Sequence, residues 1–540
     1  MKIKGMLEGF NKSGIQARLN KTGIQHAEQG QYAKALEYYE QALAIQPDYA
    51  RAWRNKAVSH IALKQYPEAV SALREALRHY PEYPDNVLGA CMEAQALIFD
   101  WADLEADLET AKRQFAAGNM PLSPFATLLF FDNPVLQQRV AQAYSAYELP
   151  PTQPALPAWP RACDSKLRMG YFSPDFRNHP LAHLMYEYFQ FQDRSRVESI
   201  AFYLGRRKDQ VQHKRLRHCF DRFFDVAGHS SKSIVALARD LRIDVAVDLA
   251  GYTTNNRFEL FNFRVAPIQI SYLGFPGTIG SDCIDYQIAD HVVVDASNRP
   301  FHDEQIIYMP DTYWSITSIP DTAGLESSRK NEGLPPEAMV YCCFNNTNKI
   351  RPDRFALWMR ILQQVPNSVL WLLGDNEIAQ HNARRHAAEH DVAPERLVFS
   401  ARVERKQHLV RYRLADLFLD TLPCNAHTTA YEALLMGLPV LTQIGNSFAG
   451  RVAASQLSVL NLQELITCTD IEYEALAVSL AKDSPRLAGF RHKLTDQHAS
   501  SPLFNVERFT RHMEQALFMA NERLRVGLPP ADFDVPRLFG

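Results

Sequence analysis

The stretch LFLDTLPCNAHTTAYEALLMGLPVLTQI, residues 417–444, holds two short apolar runs separated by a segment with helical spacing. LFLDT and PVLTQI read as buried strands, and the apolar pattern after the threonines reads as the helix between them, the repeating unit of a parallel sheet. His427, Thr428 and Thr429 stand where that helix starts. A helix start exposes unsatisfied N–H groups and the positive end of the helix dipole, so it suits a bound phosphate, and adjacent hydroxyls add donors. A threonine cap beside a packed histidine accounts for the same residues without a ligand.

Upstream, MVYCCF, SVLWLLG and LVFSA continue the strand series of this unit. An earlier series, LRMGYF, SIAFYL, DVAVDLA, IQISYLGF and QIIYMP, is set apart from it by the polar stretch DTAGLESSRKNEGLPPEA. The pattern predicts two parallel-sheet domains in tandem, with ligands bound beyond the carboxyl ends of the strands. Before the proline-rich ELPPTQPALPAWP the texture is helical. GQYAKALEYYEQALAIQPDY and KQYPEAVSALREALRHYPEY align with Tyr32 on Tyr66, Ala35 on Ala69, Ala42 on Ala76, Pro47 on Pro81 and Tyr49 on Tyr83, an offset of 34 residues. That is a tetratricopeptide pattern: small residues let paired helices approach, and the prolines end the second helix of each pair. Trp101, Leu104 and Ala111 suggest a decayed third copy. The repeats either cap the next domain or present a face to a partner chain.

With 540 residues, 46% of them hydrophobic and 22% charged, the chain is expected to be globular and divided into three or four domains. A net charge of −3 gives no general basic field for nucleic acid or an anionic membrane. The start MKIKGMLEGFNKSG lacks a signal-peptide core and no run of about 18 uncharged apolar residues follows, so a soluble, cytoplasmic protein is expected. The eight cysteines form no CxxC pair, which argues for reduced thiols and against a zinc ribbon.

Lys349 follows the strand MVYCCF in FNNTNKIRPD, as His427–Thr429 follow LFLDT. Alone it is a solvated loop lysine; beside a phosphate-binding helix start it would neutralise charge on a departing phosphate. SPDFRNHPLAHLM puts Asp175 and His179 just after a strand, with Pro180 beginning a helix and His183 one turn further on. A histidine oriented by a nearby carboxylate is a candidate general base; a histidine packed at a helix start is the plainer reading. Gly274, Gly277 and Gly280 in LGFPGTIG allow either close approach to a ligand or a tight turn. There is no GxGxxG or Walker loop, and the DFD at Asp532–Asp534, in a proline-rich tail, is read as chance.

SPDFRNHPLAHLM, AGYTTNNRFELF, RVAPIQISYLGFPGTIG, DYQIAD, PNSVLWLL, LADLFLDTLPCNAHTTAYEALLMGLPVLT and RVAASQL, in this order, resemble the O-linked N-acetylglucosamine transferase family, glycosyltransferase family 41, in its short bacterial form. The resemblance covers residues 167–506 and, with the repeats, nearly the whole chain. It implies an α/β GT-B glycosyltransferase of two Rossmann-like domains preceded by all-α tetratricopeptide repeats. The expected layout is repeats over 1–95, a helical connector over 96–160, Rossmann-like domains over 161–325 and 326–505, and a helix and tail over 506–540. It also implies inverting, metal-independent transfer of N-acetylglucosamine from UDP-N-acetylglucosamine (UDP-GlcNAc) to Ser or Thr of protein acceptors, with no further cofactor. A related transferase with another UDP-sugar or a dedicated acceptor, or a non-catalytic repeat scaffold, are the alternatives. The family pattern assigns Asp175, His179 and Lys349 to catalysis, the part of the histidine as base being unsettled against the donor's own phosphate. To the UDP-sugar it assigns Asn346, Lys349, Arg405, His408, Cys424, His427, Thr428, Thr429 and Glu432, with Gly274 and Pro276 of the glycine loop. Three positions depart from the pattern: Asn346 where Gln is usual, Arg405 where the animal enzymes have a nucleoside-contacting Lys, and Glu432 where a ribose-binding Asp is expected.

Overall fold

The computed structural model describes residues 2–82, 86–149, 166–205, 210–315, 317–318, 322, 324–374 and 376–538. Tyr83 of the repeat alignment and most of the proline-rich break lie outside them. The chain forms two compact units. One comprises Met1–Phe130, Asn346–Phe355 and Gly374–Glu395, the other Phe131–Asn345, Ala356–Leu373 and Arg396–Gly540.

The first unit is helical. Helices Tyr32–Ile45 and Tyr66–His79 start and stop 34 residues apart, as the repeat requires. Ala35, Ala42, Ala69 and Ala76 are fully buried, and a Cβ on Gly23 would lie 2.4 Å from the Tyr39 ring, so small residues set how closely the helices pack. Where a decayed third copy is suggested there is a helix, Leu104–Ala116, with Ala111 fully buried and Asp107 paired to Arg74 at 2.6 Å. Trp101 stands before that helix rather than in it, because its ring stacks on His386, 4.7 Å between centroids.

The second unit carries two parallel sheets. The first contains β1 (Leu167–Ser173), β2 (Val197–Tyr203), β3 (Arg222–Asp225), β4 (Val245–Asp248), β5 (Ile268–Ser271), β6 (Tyr286–Ala289) and β7 (Gln305–Tyr308). The second contains β8 (Met339–Cys343), β9 (Ser368–Leu373), β10 (Leu397–Ser400), β11 (Leu417–Leu419), β12 (Val440–Gln443) and β13 (Ile466–Thr467), and β14 (Phe533–Asp534) returns to the first sheet. The orders are β14-β7-β6-β5-β4-β1-β2-β3 and β10-β9-β8-β11-β12-β13. Each half is wound outward from its first strand, so the order reverses between β1 and β4 and between β8 and β11. Those two points are where open α/β sheets bind ligands.

Every pairing is parallel, which is why the strands read as unbroken apolar runs such as SVLWLL, buried at all six positions. The strands that the sequence reading lacks are short or peripheral: β3 has a partly exposed edge, β6 has four residues, β13 and β14 two each. The helix Val506–Arg525 buries Phe509, Met513 and Leu517 along one stripe and returns to the first sheet, where Phe509 meets Tyr188 at 6.1 Å and Glu514 accepts the Asp193 N–H at 2.6 Å. The DFD tail has a structural reason: Asp532 pairs with Arg299 at 2.6 Å and accepts the Ile306 N–H, fastening β14 beside β7.

Candidate active site

Asp175 and His179 follow β1 and Cys424 to Glu432 follow β11, each beside a switch point, whereas Arg405 and His408 sit on the helix Arg405–Arg411 after the edge strand β10 and Gly274 and Pro276 follow β5. After β1, the chain turns through Asp175 to His179, which caps the helix Pro180–Phe191: its Nδ1 accepts the Leu181 N–H at 3.3 Å. Asp175, buried, bonds to Arg177 at 2.8 Å, and its other oxygen is 3.8 Å from the histidine Nδ1. The expected arrangement, a carboxylate orienting a basic histidine, is therefore not the one present. With Nδ1 accepting, the neutral ring carries its proton on Nε2 and faces the site as a donor. Burial lowers the His179 pKa against the opposing pull of Asp175, which favours that neutral ring. His183 donates from Nε2 to Asn178 and is brought down to about 4 by burial, then by Arg405, Arg215 and His179. Arg405 belongs to the second sheet's domain, so this coupling brings side chains of the two domains near each other.

After β11 the chain makes a buried polar knot. Asp420 accepts from the N–H groups of Thr421 and Ala426 and from the Thr442 hydroxyl, and Asn425 donates to the Thr421 carbonyl at 2.8 Å. This knot aims the helix Thr428–Leu435, whose N-cap is His427 with no side-chain capping bond. The helix start was the expected anion site; its hydroxyls differ. Thr429 donates to Asn345 Oδ1, so its proton is already committed, whereas the Thr428 hydroxyl bonds to none of the described residues. Asn345, at the end of β8, also donates to Thr421 at 2.8 Å and ties the two switch-point strands together. Sequence reading passed over Asn345 and Asp420 because their role is to brace other residues. Cys424 is 3% exposed and its carbonyl accepts from Thr421, a position that shapes the loop.

His408 lies against Phe344 and Tyr412, both at 5.1 Å, and burial, helped by Arg411, Arg402 and Arg405, brings its pKa down to about 4. A neutral ring among aromatics is a flat surface suited to a nucleobase. Arg405 and Glu432, both departures from the family pattern, touch each other: Nε to Oε1, 2.9 Å. Glu432 is 6% exposed, and burial raises its pKa against the pull of Arg405. Among the described residues Arg405 Nη2 is buried without a hydrogen-bond partner.

The glycine loop is explained by packing. A Cβ at Gly274 would lie 2.2 Å from the Leu249 carbonyl oxygen, and Gly280, with φ of +67°, would press on the Gln142 backbone. Pro276 is buried. Asn346 and Lys349 belong to the first unit, Lys349 ending a 3-10 turn whose Thr347 hydroxyl donates to the Leu97 carbonyl at 3.0 Å. Among the described residues no group of three His, Cys, Asp or Glu side chains could hold a metal ion, and no helix is long and apolar enough to cross a membrane.

Two parallel sheets with their switch-point loops across one cleft define the GT-B class of glycosyltransferase folds. Glycosyl transferase family 41 matches residues 155–318 and 317–513, and a tetratricopeptide model matches 26–91. The chain belongs to glycosyl transferase family 41. It is 32% identical over 463 residues to the probable UDP-N-acetylglucosamine–peptide N-acetylglucosaminyltransferase SEC of Arabidopsis thaliana, covering 82% of this chain and 47% of that one. It is 28% identical over 477 residues to the UDP-N-acetylglucosamine–peptide N-acetylglucosaminyltransferase of Caenorhabditis elegans, covering 67% and 41%. The chain thus spans less than half the length of these relatives. A solved structure of a mutant O-GlcNAc transferase from Thermobaculum terrenum superimposes with a TM-score of 0.80 at 25% identity, over 95% of this chain and 99% of that one.

Proposed function

We propose that this chain is an inverting transferase that moves N-acetylglucosamine from UDP-GlcNAc to Ser or Thr of protein acceptors. The observation that carries the reading is the helix start His427–Thr429 at one switch point opposite the Asp175–His179 loop at the other. The family and the named relatives support the choice of donor and acceptor. In this reading the acceptor oxygen bonds to the sugar's anomeric carbon as the bond from that carbon to the phosphate oxygen breaks on the opposite face. The leaving UDP gathers negative charge, which the N–H groups of the helix start, the Thr428 hydroxyl and Lys349 stabilise. Fixed positive groups of this kind do the electrostatic work of a divalent ion, so the transfer runs without metal. His408 stacks on the base, and Arg405 with Glu432 holds the ribose side, Arg405 supplying an Nη2 N–H. His179, a donor in its capping tautomer, holds the sugar, and the acceptor's proton departs to a phosphate oxygen of the donor. The site of action is the cytoplasm, and the repeats carry the acceptor.

The test is mass spectrometry of sugar transfer and donor hydrolysis with a panel of nucleotide sugars. UDP-GlcNAc is expected to be consumed and an acceptor to gain one N-acetylhexosamine. Turnover of a different donor alone would move the reading to another transferase, and no turnover of any would favour a scaffold.

A further inference from the structure

Asp132, just before the helix Pro134–Glu148, belongs to none of the groups assigned above. Its carboxylate accepts from the backbone N–H of Asn446 (2.8 and 3.0 Å to its two oxygens) and of Ser447 (2.9 Å), and from the Asn446 amide (3.0 Å) and the Ser447 hydroxyl (2.9 Å). One side chain from outside the sheet thus captures all the donors of a two-residue loop tip. Ionised carboxylates make the stronger hydrogen bonds, so this is a firm attachment. A Cβ on Gly445 would lie 2.9 Å from the same carboxylate, which explains glycine there.

The loop it holds is Gly445–Gly450, closed by the Gly445 N–H on the Gly450 carbonyl at 2.7 Å. Its Ala449 carbonyl receives the Asn425 N–H at 2.9 Å and His427 Nε2 at 3.1 Å. A carbonyl only accepts, so His427 donates to it from Nε2. Asn298 and Arg451 reach the same loop through the Asn446 and Gly445 carbonyls. They take its acceptors, whereas Asp132 takes its donors.

We infer that Asp132 is a positioning residue: by fixing the loop Gly445–Gly450 it sets the Ala449 carbonyl that orients the His427 ring at the helix start. The inference rests on the reading of His427 as a residue of the donor's diphosphate. Asp132 itself touches no substrate. Its effect therefore passes through His427 and disappears when His427 is absent, which a merely structural role would not produce.

The experiment is a double-mutant cycle on the full chain, with UDP titrated calorimetrically into wild type, Asp132→Ala, His427→Ala and the double variant, and thermal unfolding recorded for each. Asp132→Ala is expected to raise the Kd for UDP about tenfold, a coupling usual within one hydrogen-bond network, and the double variant to bind no worse than His427→Ala. Asp132→Asn, which keeps one accepting oxygen and the volume, is expected to fall between wild type and Asp132→Ala and serves where the alanine variant fails to fold. Losses that multiply in the double variant, or normal binding by both Asp132 variants while His427→Ala is impaired, overturn the inference and leave the donor-site reading standing. Normal binding by His427→Ala overturns both.

Discussion

Glu432→Ala tests the nucleotide side of the site most directly. Glu432 is 6% exposed and bonded to Arg405 at 2.9 Å, and the side chains of the pair are 8% and 21% exposed. Removing one partner of a fully buried pair costs about 3–5 kcal/mol because the other charge is left behind; with a fifth of Arg405 in solvent, about 2–3 kcal/mol of stability is expected. If the pair also holds the ribose, UDP loses a hydrogen bond to a charged group, about 1.5–3 kcal/mol, or roughly 10- to 150-fold in Kd. The family's shorter carboxylate does not rescue this site on its own. Glu432→Asp withdraws the oxygen by one methylene and breaks the contact with Arg405, so it is expected to bind UDP more weakly than wild type. Arg405→Lys with Glu432→Asp rebuilds the pattern of the animal enzymes and is expected to recover at least half of that lost free energy. Calorimetric titration of UDP and thermal unfolding of the four proteins measure both quantities. Wild-type affinity and melting temperature in Glu432→Ala would refute the reasoning, and so would Glu432→Asp binding as tightly as wild type.

Lys349→Ala is expected to leave the fold intact and to slow transfer about a hundredfold, the loss of on the order of 3 kcal/mol of leaving-group stabilisation; near-normal turnover in a single-turnover assay removes the lysine from the mechanism. Transfer is expected to persist in excess EDTA, and loss on chelation with recovery in Mn2+ would overturn the metal-free reading. His302, buried and bonded to Gln287 at 2.7 Å, is brought down to about 3 by burial and then by Arg299. From about pH 6.5 down to 4 the unfolded chain therefore binds a proton there that the folded one does not, and this residue's contribution to stability falls as pH falls. Urea unfolding of His302→Gln between pH 6.5 and 5 should show a slope of stability on pH shallower than wild type by up to about 1.4 kcal/mol per unit, and parallel slopes would contradict the assignment.

The sequence carried the two sheets because parallel strands buried on both faces leave apolar runs, and the repeats because their small residues recur at a fixed offset. The strand order was beyond it. Nothing in LRMGYF or DVAVDLA says that β1 and β4 are neighbours, yet that adjacency makes the loops after them a site. Helix starts were legible, since Pro180 and the threonines mark them. The partners of each side chain were not. Thr429 spends its proton on Asn345, and Arg405 meets Glu432 across 27 positions of chain. Two departures that look independent in the sequence are one contact in the fold. The glycine loop was ambiguous for a similar reason, because the carbonyl that crowds Gly274 comes from Leu249, at the end of another strand.

The two histidines at the helix starts make opposite use of their nitrogens. His179 gives its Nδ1 lone pair to the Leu181 N–H and keeps its proton on Nε2; His427 gives its Nε2 proton to the Ala449 carbonyl. Each backbone group thereby fixes a tautomer that an isolated imidazole would leave open. A proton taken up by His179 would have to go on Nδ1 and break the helix cap, and burial already opposes the charge there. In the proposed reaction His179 is therefore not a ready base for the acceptor hydroxyl.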